Sequence, residues 1–142
     1  MTDTSVKSDG RCPACGCVGP NPGYIPMEPA DIKLELDFIN SQLPSMAKWI
    51  LAEDGRSLYR KFTCRNWQSA INSIQAISVI AEREDFHHHP DLHLTNYRII
   101  EIRLSTHAAN GLTNYDFKLA SALGAIDIDY SPKWLKENST TN

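Results

Sequence analysis

The chain has 142 residues, of which 42% are hydrophobic and 22% charged, and its formal net charge is −3. This length and composition are typical of a single globular domain with its own core. The acidic balance argues against a broad nucleic-acid surface, although it leaves room for a local basic patch. No apolar stretch approaches the length of a membrane-spanning helix. We therefore expect neither a membrane partner nor a direct nucleic-acid partner.

Residues 1–28 are predicted to form a flexible leader rich in cysteine and proline. The opening MTDTSVKSDG is polar and lacks the apolar core of a signal peptide. Four prolines and two glycines between residues 18 and 29 predict an extended connector. For the cysteines, the alternatives are a structural zinc site, a redox or disulfide role, and a plain segment of reduced cysteines. The absence of a second CxxC pair favours the reduced segment. The four cysteines of the chain are Cys12, Cys15, Cys17 and Cys64.

An amphipathic helix is predicted over residues 28–43. Asp31 favours its start because a carboxylate stabilises a helix N-terminus, and Pro44 ends it. Its apolar positions recur at helical spacing: Ile32, Leu36, Ile39 and Leu43.

A β-hairpin is predicted next. Residues 47–53 and 57–64 carry alternating apolar side chains, and Asp54-Gly55 lies between them. An Asp-Gly pair between two such runs is typical of a tight hairpin turn. On the second strand, Leu58, Arg60 and Phe62 are expected to share one face.

A long helix over residues 67–84 follows, with Asn66 as its predicted N-cap. Its apolar stripe is expected to pack on the sheet and consists of Trp67, Ala70, Ile71, Ile74, Ile77 and Ala81.

Residues 91–106 return to strand character, with Thr95-Asn96 as a predicted turn between two strands. A last helix then begins with Thr113 as N-cap and Asp116 at its third position, an arrangement similar to a capping box. Residues 131–142 are predicted to be a polar, frayed tail.

The predicted order is helix, hairpin, helix, two strands and helix. Neighbouring strands joined by tight turns indicate a four-stranded antiparallel sheet with helices on one face, an α+β two-layer sandwich over residues 29–130. The edges of such a sheet need charge, water or another subunit to cover their unpaired backbone groups.

All five histidines fall between residues 87 and 107. Imidazole titrates at about pH 6.5, so a positioned histidine exchanges protons at neutral pH and contributes about 10²- to 10⁴-fold in rate. The end of a hairpin brings its two termini together, so the cluster is expected to meet Asp116. The alternatives are a metal site and histidines that are merely exposed to solvent. Simple exposure is the favoured interpretation for His87 and His93. Ser105 lies near His107, but no nucleophile elbow surrounds it.

The stretch FHHHPDLHLTNYRIIEIRLSTHAANGLTNYDFKLA resembles the signature of the pterin-4a-carbinolamine dehydratases. The upstream stretches LPSMAKWIL and LYRKFTCRNW resemble the family's first two strands, so the resemblance covers roughly residues 11–128. Two features depart from the family pattern: the additional His87 and a longer loop before it. Because three consecutive histidines make the register ambiguous, we align the family's histidine pair with the two residues directly before Pro90. The matching motifs are His88-His89-Pro90, Thr106-His107, and Gly111-Leu112-Thr113 with Asp116.

The resemblance implies a lyase that dehydrates 4a-hydroxytetrahydropterin to quinonoid dihydropterin in tetrahydrobiopterin recycling, with no redox cofactor and no metal. It implies that His88 and His107 are proton donors to the leaving hydroxyl and that His89 contacts N5 of the pterin or holds the ring. Asp116 would orient a histidine or contact the substrate. The substrate-binding residues that it implies are Pro90, Thr106, Ala108, Ala109 and Asp116.

The resemblance also implies a small-molecule pterin as substrate and a homodimer or homotetramer as the assembly. We expect a cytoplasmic protein, with organellar import left open. The alternative function is that of a non-catalytic binding or assembly protein, acting as a dimerisation partner of a transcription factor or another complex.

Overall fold

The structure is a computed structural model that describes residues 25–83 and 88–139. Most of the predicted leader lies outside these residues, as do His87 and the cysteines of CPACGC. The helices and strands, in chain order, are α1 (Pro29–Ser41), β1 (Ile50–Leu51), β2 (Leu58–Thr63), α2 (Trp67–Ala81), β3 (Asp91–Thr95), β4 (Ile99–Leu104), α3 (Asn114–Leu123) and α4 (Pro132–Asn138).

The strands form one antiparallel sheet in the order β1-β2-β4-β3. Along the central pair, Leu58 is opposite Leu104 and Phe62 is opposite Ile100. The side chains of β2 and β4 alternate between a fully buried face and a more exposed face, as half-buried strands require. This arrangement confirms the predicted α+β two-layer sandwich.

The core lies between the buried face of the sheet and the helices. Arg60 shares that face with Leu58 and Phe62, as the alternation predicted, and is only 2% exposed. Its guanidinium lies 4.9 Å from the centre of the Phe62 ring and donates a hydrogen bond to the Tyr130 hydroxyl. Burial lowers the pKa of Arg60 and raises that of Tyr130. The largest fully buried apolar side chains are Trp49, Leu58, Phe62, Ile77, Ile100, Ile102, Leu104, Leu112, Leu119 and Leu123.

The local signals for turns and helix starts agree with the structure. Gly55 has φ +73° in the β1–β2 turn, a conformation that glycine adopts without a steric penalty. Asn96 lies at φ 47° in the β3–β4 turn. Asn66 caps α2 through a bond from the Ser69 amide at 2.9 Å, and Thr113 begins α3 with a complete capping box.

The first strand is much shorter than the prediction over residues 47–53. Trp49 is buried, and its backbone N–H and C=O bond to the side-chain amide of Asn40 at 2.9 and 3.0 Å. Because these groups are occupied by a side chain of α1, pairing with β2 begins only at Ile50.

Two further regions differ from the prediction. Trp67 begins α2 but is 54% exposed, so it does not belong to the packed stripe. The predicted polar tail contains α4, a helix of seven residues with Ser131 as its N-cap. Trp134 fixes this helix by stacking on Tyr130, with the ring centres 5.2 Å apart. Among the described residues, no helix has both the length and the apolar character needed to cross a membrane.

Candidate active site

Asp116 lies at the centre of a buried polar network. It is the third residue of α3 and is fully buried. Its Oδ2 accepts hydrogen bonds from the Thr113 amide at 3.0 Å and from the Thr106 hydroxyl at 2.7 Å. Its Oδ1 lies 2.6 Å from Nε2 of His88. The carboxylate that completes the capping box therefore also holds a histidine.

Two threonine hydroxyls extend the network. Thr106 Oγ1 lies 2.7 Å from Thr113 Oγ1, and both side chains are buried. Because Thr106 donates its only hydroxyl proton to Asp116, the Thr113 hydroxyl must donate to Thr106. Each of these buried oxygens has a donor or an acceptor, which is the condition for keeping polar groups in a core.

His88 is held in one orientation. Its side chain is 3% exposed, and its backbone N–H bonds to the carbonyl of Ala81 at the end of α2, at 3.2 Å. Because Asp116 is the acceptor, Nε2 of His88 carries a proton. Its Nδ1 is buried and has no hydrogen-bond partner within residues 25–83 and 88–139. The carboxylate thus selects the ring tautomer.

The remaining described histidines are more accessible than His88. His89 Nε2 lies 2.8 Å from Glu82 Oε2, and the side chain of His89 is 28% exposed. His107 is exposed on a 3₁₀ turn (His107–Ala109) that directly follows the Thr106 end of the sheet. His93 is exposed on β3, opposite Glu101 of β4. The three imidazoles assigned to catalysis therefore differ sharply in environment.

A cleft of about 320 Å³ opens beside His107. It lies between the β1–β2 turn and the segment that connects β4 to α3. Neither His88 nor His89 is among its described lining residues, which are Asp54, Arg56, Ser57, Arg103, Ser105, Thr106, His107, Asn110 and Gly111. Thr106 both borders this cleft and donates to Asp116. It is therefore the point at which the cleft meets the buried network.

The predicted substrate-binding residues fall into two groups. Thr106 and Asp116 are fully buried, and Ala109 is 8% exposed, whereas Pro90 and Ala108 are half-buried. The structure brings Thr106 and Asp116 together with His88, while the role of Asp116, orienting a histidine or contacting the substrate, stays a prediction. Direct contact of these five residues with a substrate stays a prediction.

Sequence reasoning missed three charged residues of the cleft. Asp54 was recognised only as a turn residue, and neither Arg56 nor Arg103 was singled out. Their meeting depends on the β2–β4 register, which sets Tyr59 opposite Arg103. A local pattern contains no signal for that pairing.

No metal site is evident in the described part of the chain. Within residues 25–83 and 88–139, no group of three or more His, Cys, Asp or Glu side chains is arranged to hold a metal ion. Cys64 is a free, buried cysteine whose sulfur lies 3.7 Å from the Ser73 hydroxyl.

Comparisons with known proteins agree with the motifs. The family model described as pterin 4 alpha carbinolamine dehydratase matches residues 32–126. A Sinorhizobium fredii protein is 38% identical over 104 residues, which are 73% of this chain and 96% of the relative. A Legionella pneumophila (strain Corby) protein is 32% identical over 127 residues, which are 89% of this chain and 99% of the relative. Both have the provisional name pterin-4-alpha-carbinolamine dehydratase.

A solved structure is similar in fold. The Brucella melitensis protein described as a transcriptional coactivator/pterin dehydratase superposes with a TM-score of 0.58 at 22% identity. The match covers 70% of this chain and 96% of the Brucella chain. At this identity the similarity supports the sandwich architecture alone.

Proposed function

The chain belongs to the pterin-4-alpha-carbinolamine dehydratase family, and we propose that it dehydrates a 4a-hydroxytetrahydropterin to the quinonoid dihydropterin. One observation carries the proposal. A carboxylate-held histidine, His88, is linked through Asp116 and Thr106 to a cleft whose wall exposes a second histidine, His107.

The reaction requires two proton transfers and no change in redox state. The bond between C4a and the hydroxyl oxygen breaks, and the oxygen leaves as water after it is protonated. The proton on N5 passes to a base as the C4a=N5 double bond forms. One acid and one base close to a flat heterocycle therefore suffice, and histidines perform both roles near neutral pH.

Exposure divides the roles among the three histidines. A group that exchanges a proton with a bound molecule must reach it, and His107 and His89 do so more readily than the 3% exposed side chain of His88. We assign protonation of the leaving hydroxyl to His107. We assign contact with N5 to His89, whose Nε2 is paired with Glu82.

His88 is better suited to positioning than to the donor role that the family resemblance implies. Asp116 accepts a hydrogen bond from its Nε2, and the Ala81 carbonyl accepts one from its backbone N–H. These two bonds fix the residue directly before His89, so they set the direction in which His89 leaves the loop. Pro90 restricts the backbone of His89 from the other side.

A direct assay tests this proposal. Purified protein is added to a chemically generated 4a-hydroxytetrahydropterin, and quinonoid dihydropterin is followed by absorbance. We expect formation to be faster than the uncatalysed reaction and to saturate with substrate. A rate equal to that of buffer, in a protein whose folding is verified by circular dichroism, would contradict dehydration and favour the assembly role.

A homodimer or homotetramer remains part of the proposal. Within the described residues β3 pairs only with β4 and lies at the sheet edge. Its outward backbone groups therefore have no strand partner among those residues. A second subunit would satisfy them. Light scattering at micromolar concentration tests this, and a mass near the 15.9 kDa of one chain would contradict it.

A further inference from the structure

The cleft beside His107 has a polar lining. Apart from the His107 imidazole, no aromatic side chain, and no Ala, Val, Leu, Ile, Met or Pro, is among its described lining residues, although pockets for flat organic ligands are predominantly apolar or aromatic. Its volume of about 320 Å³ is at the lower end of the range for small-molecule sites. The lining is therefore better matched to an ionic group than to the pterin ring itself.

Arg103 is held rigidly at the wall of this cleft. Its Nη1 donates to the Ser57 hydroxyl at 3.0 Å, and its Nη2 donates to Glu101 at 3.1 Å. The guanidinium also lies 4.9 Å from the centre of the Tyr59 ring. A guanidinium has five N–H donors, so these contacts orient it and leave further donors for a ligand. A cation that is already fixed loses little entropy when it binds an anion.

The charges that line the cleft sum to a positive value. Arg56 and Arg103 are cations and Asp54 is the single carboxylate among the lining residues. One Asp54 oxygen accepts the backbone N–H of Arg56 at 2.9 Å and is thus engaged in the turn. Glu101 pairs with Arg103 but is not one of the described residues that line the cleft.

We propose that this cleft binds an oxyanion at the end of the substrate's side chain, so that Arg103 and Arg56 select pterins with a phosphate or carboxylate substituent over neutral ones. The inference rests on the proposed function, because it assumes that His107 acts on the ring at the edge of the cleft. It adds a substrate class to that function.

Binding of stable pterins tests the inference without requiring catalysis. The probes are 6-hydroxymethylpterin, its phosphate monoester and 6-carboxypterin, which share one ring system. We expect the phosphate ester to bind about tenfold or more tightly than the neutral compound, with the difference falling as salt is raised. Calorimetry measures the dissociation constants, and the carboxylate compound shows whether phosphate or any oxyanion is selected. Equal affinity for all three probes would overturn the inference.

A set of matched variants tests whether the two cleft arginines cause the preference for the anionic probe. R103Q combined with R56Q should reduce the preference to within about twofold. R98Q is the control, because Arg98 also lies over a tyrosine ring, at 5.5 Å from Tyr97, but outside the cleft. E101Q removes the ion pair and keeps the cation, so it should retain the preference. Loss of the preference in R98Q or E101Q to the same extent as in the double variant would contradict a direct role for the cleft arginines.

The two proposals fail in different ways. If the protein dehydrates neutral and anionic pterins with the same kcat/KM and binds them equally, the substrate class is wrong and the dehydratase stands. If it dehydrates neither but prefers the anionic probe through Arg103, the dehydratase is wrong and the oxyanion cleft stands.

Discussion

Asp116 and Arg103 are both charged, and Thr106 donates to the first and lines a cleft with the second, yet the protein surrounds the two charges in different ways. Asp116 is fully buried and receives three hydrogen bonds from His88, Thr106 and Thr113. The Arg103 side chain is 36% exposed and makes two bonds at the wall of an open cleft. Removing a buried, paired charge mainly destabilises the fold, whereas removing an exposed one mainly affects what the surface binds. The comparison separates a residue that builds the site from a residue that we propose to contact the substrate.

The largest expected effect tests the buried side of the comparison. Asp116→Ala leaves His88 Nε2, the Thr106 hydroxyl and the Thr113 amide without their acceptor. We expect the free energy of unfolding to fall by about 3 kcal/mol or more, measured by urea denaturation. Asp37→Ala is the matched control, because its pair with Lys33 is exposed, and it should change stability by less than about 0.5 kcal/mol. Similar losses in the two variants would refute the network's structural role.

His107→Ala tests the exposed side. We expect the dehydration rate to fall by about 10²-fold or more, the scale of a lost acid or base, with the unfolding free energy changed by less than about 0.5 kcal/mol. His89→Ala should reduce the rate to a similar extent. His93→Ala is the control, because this exposed histidine lies on β3, and it should change the rate by less than about tenfold. A stable, fully active His107→Ala protein would exclude His107 from catalysis.

Thr106→Val probes the residue that both regions share. Valine keeps the shape of threonine but removes the hydroxyl, which donates a hydrogen bond to Asp116 and accepts one from Thr113. We expect a loss of about 1–3 kcal/mol in stability together with a drop of about tenfold in rate. Unfolding and kinetics are measured on the same preparation. A change in only one of the two quantities would place Thr106 in one region alone.

The smallest expected effect is on stability at alkaline pH, and it comes from residues outside the candidate site. Burial raises the pKa of Cys64 and of Tyr130 above their usual values of 9.0 and 10.0. The folded state therefore resists their ionisation, so this stability is fully present below pH 9 and is lost as the pH rises further. Urea unfolding between pH 7 and pH 10.5 should show a modest decline, and Cys64→Ala should make the decline shallower. An identical slope in the variant would contradict this contribution.

Much of the fold was predictable because its signals are local. Asn66 and Thr113 identify helix starts through short-range capping bonds, and Gly55 identifies a turn through its backbone freedom. The early end of β1 was not predictable, since it results from the amide of Asn40 occupying the Trp49 backbone. The seven residues of α4 are too few for a periodic pattern, and their docking depends on Tyr130.

For the candidate site, the sequence indicated which residues to consider better than it indicated how they are arranged. The motifs identified Asp116 and the histidines, but consecutive histidines look alike in a sequence. Only the fold distinguishes His88, which is buried against Asp116, from His89, which pairs with Glu82. The two arginines of the proposed oxyanion site were not predicted to meet, because Arg56 lies in the β1–β2 turn and Arg103 on β4, and the sheet register brings them to one cleft.

The double use of the Asp116 carboxylate has a consequence for the order of folding. The same Oδ2 atom accepts from the Thr113 amide at the start of α3 and from the Thr106 hydroxyl, two residues beyond β4. Because Oδ1 of the same carboxylate contacts His88 Nε2, we expect the first turn of α3 and the orientation of the His88 ring to form together. Deuterium exchange at the Thr113 amide should report on the same opening event that releases the histidine ring.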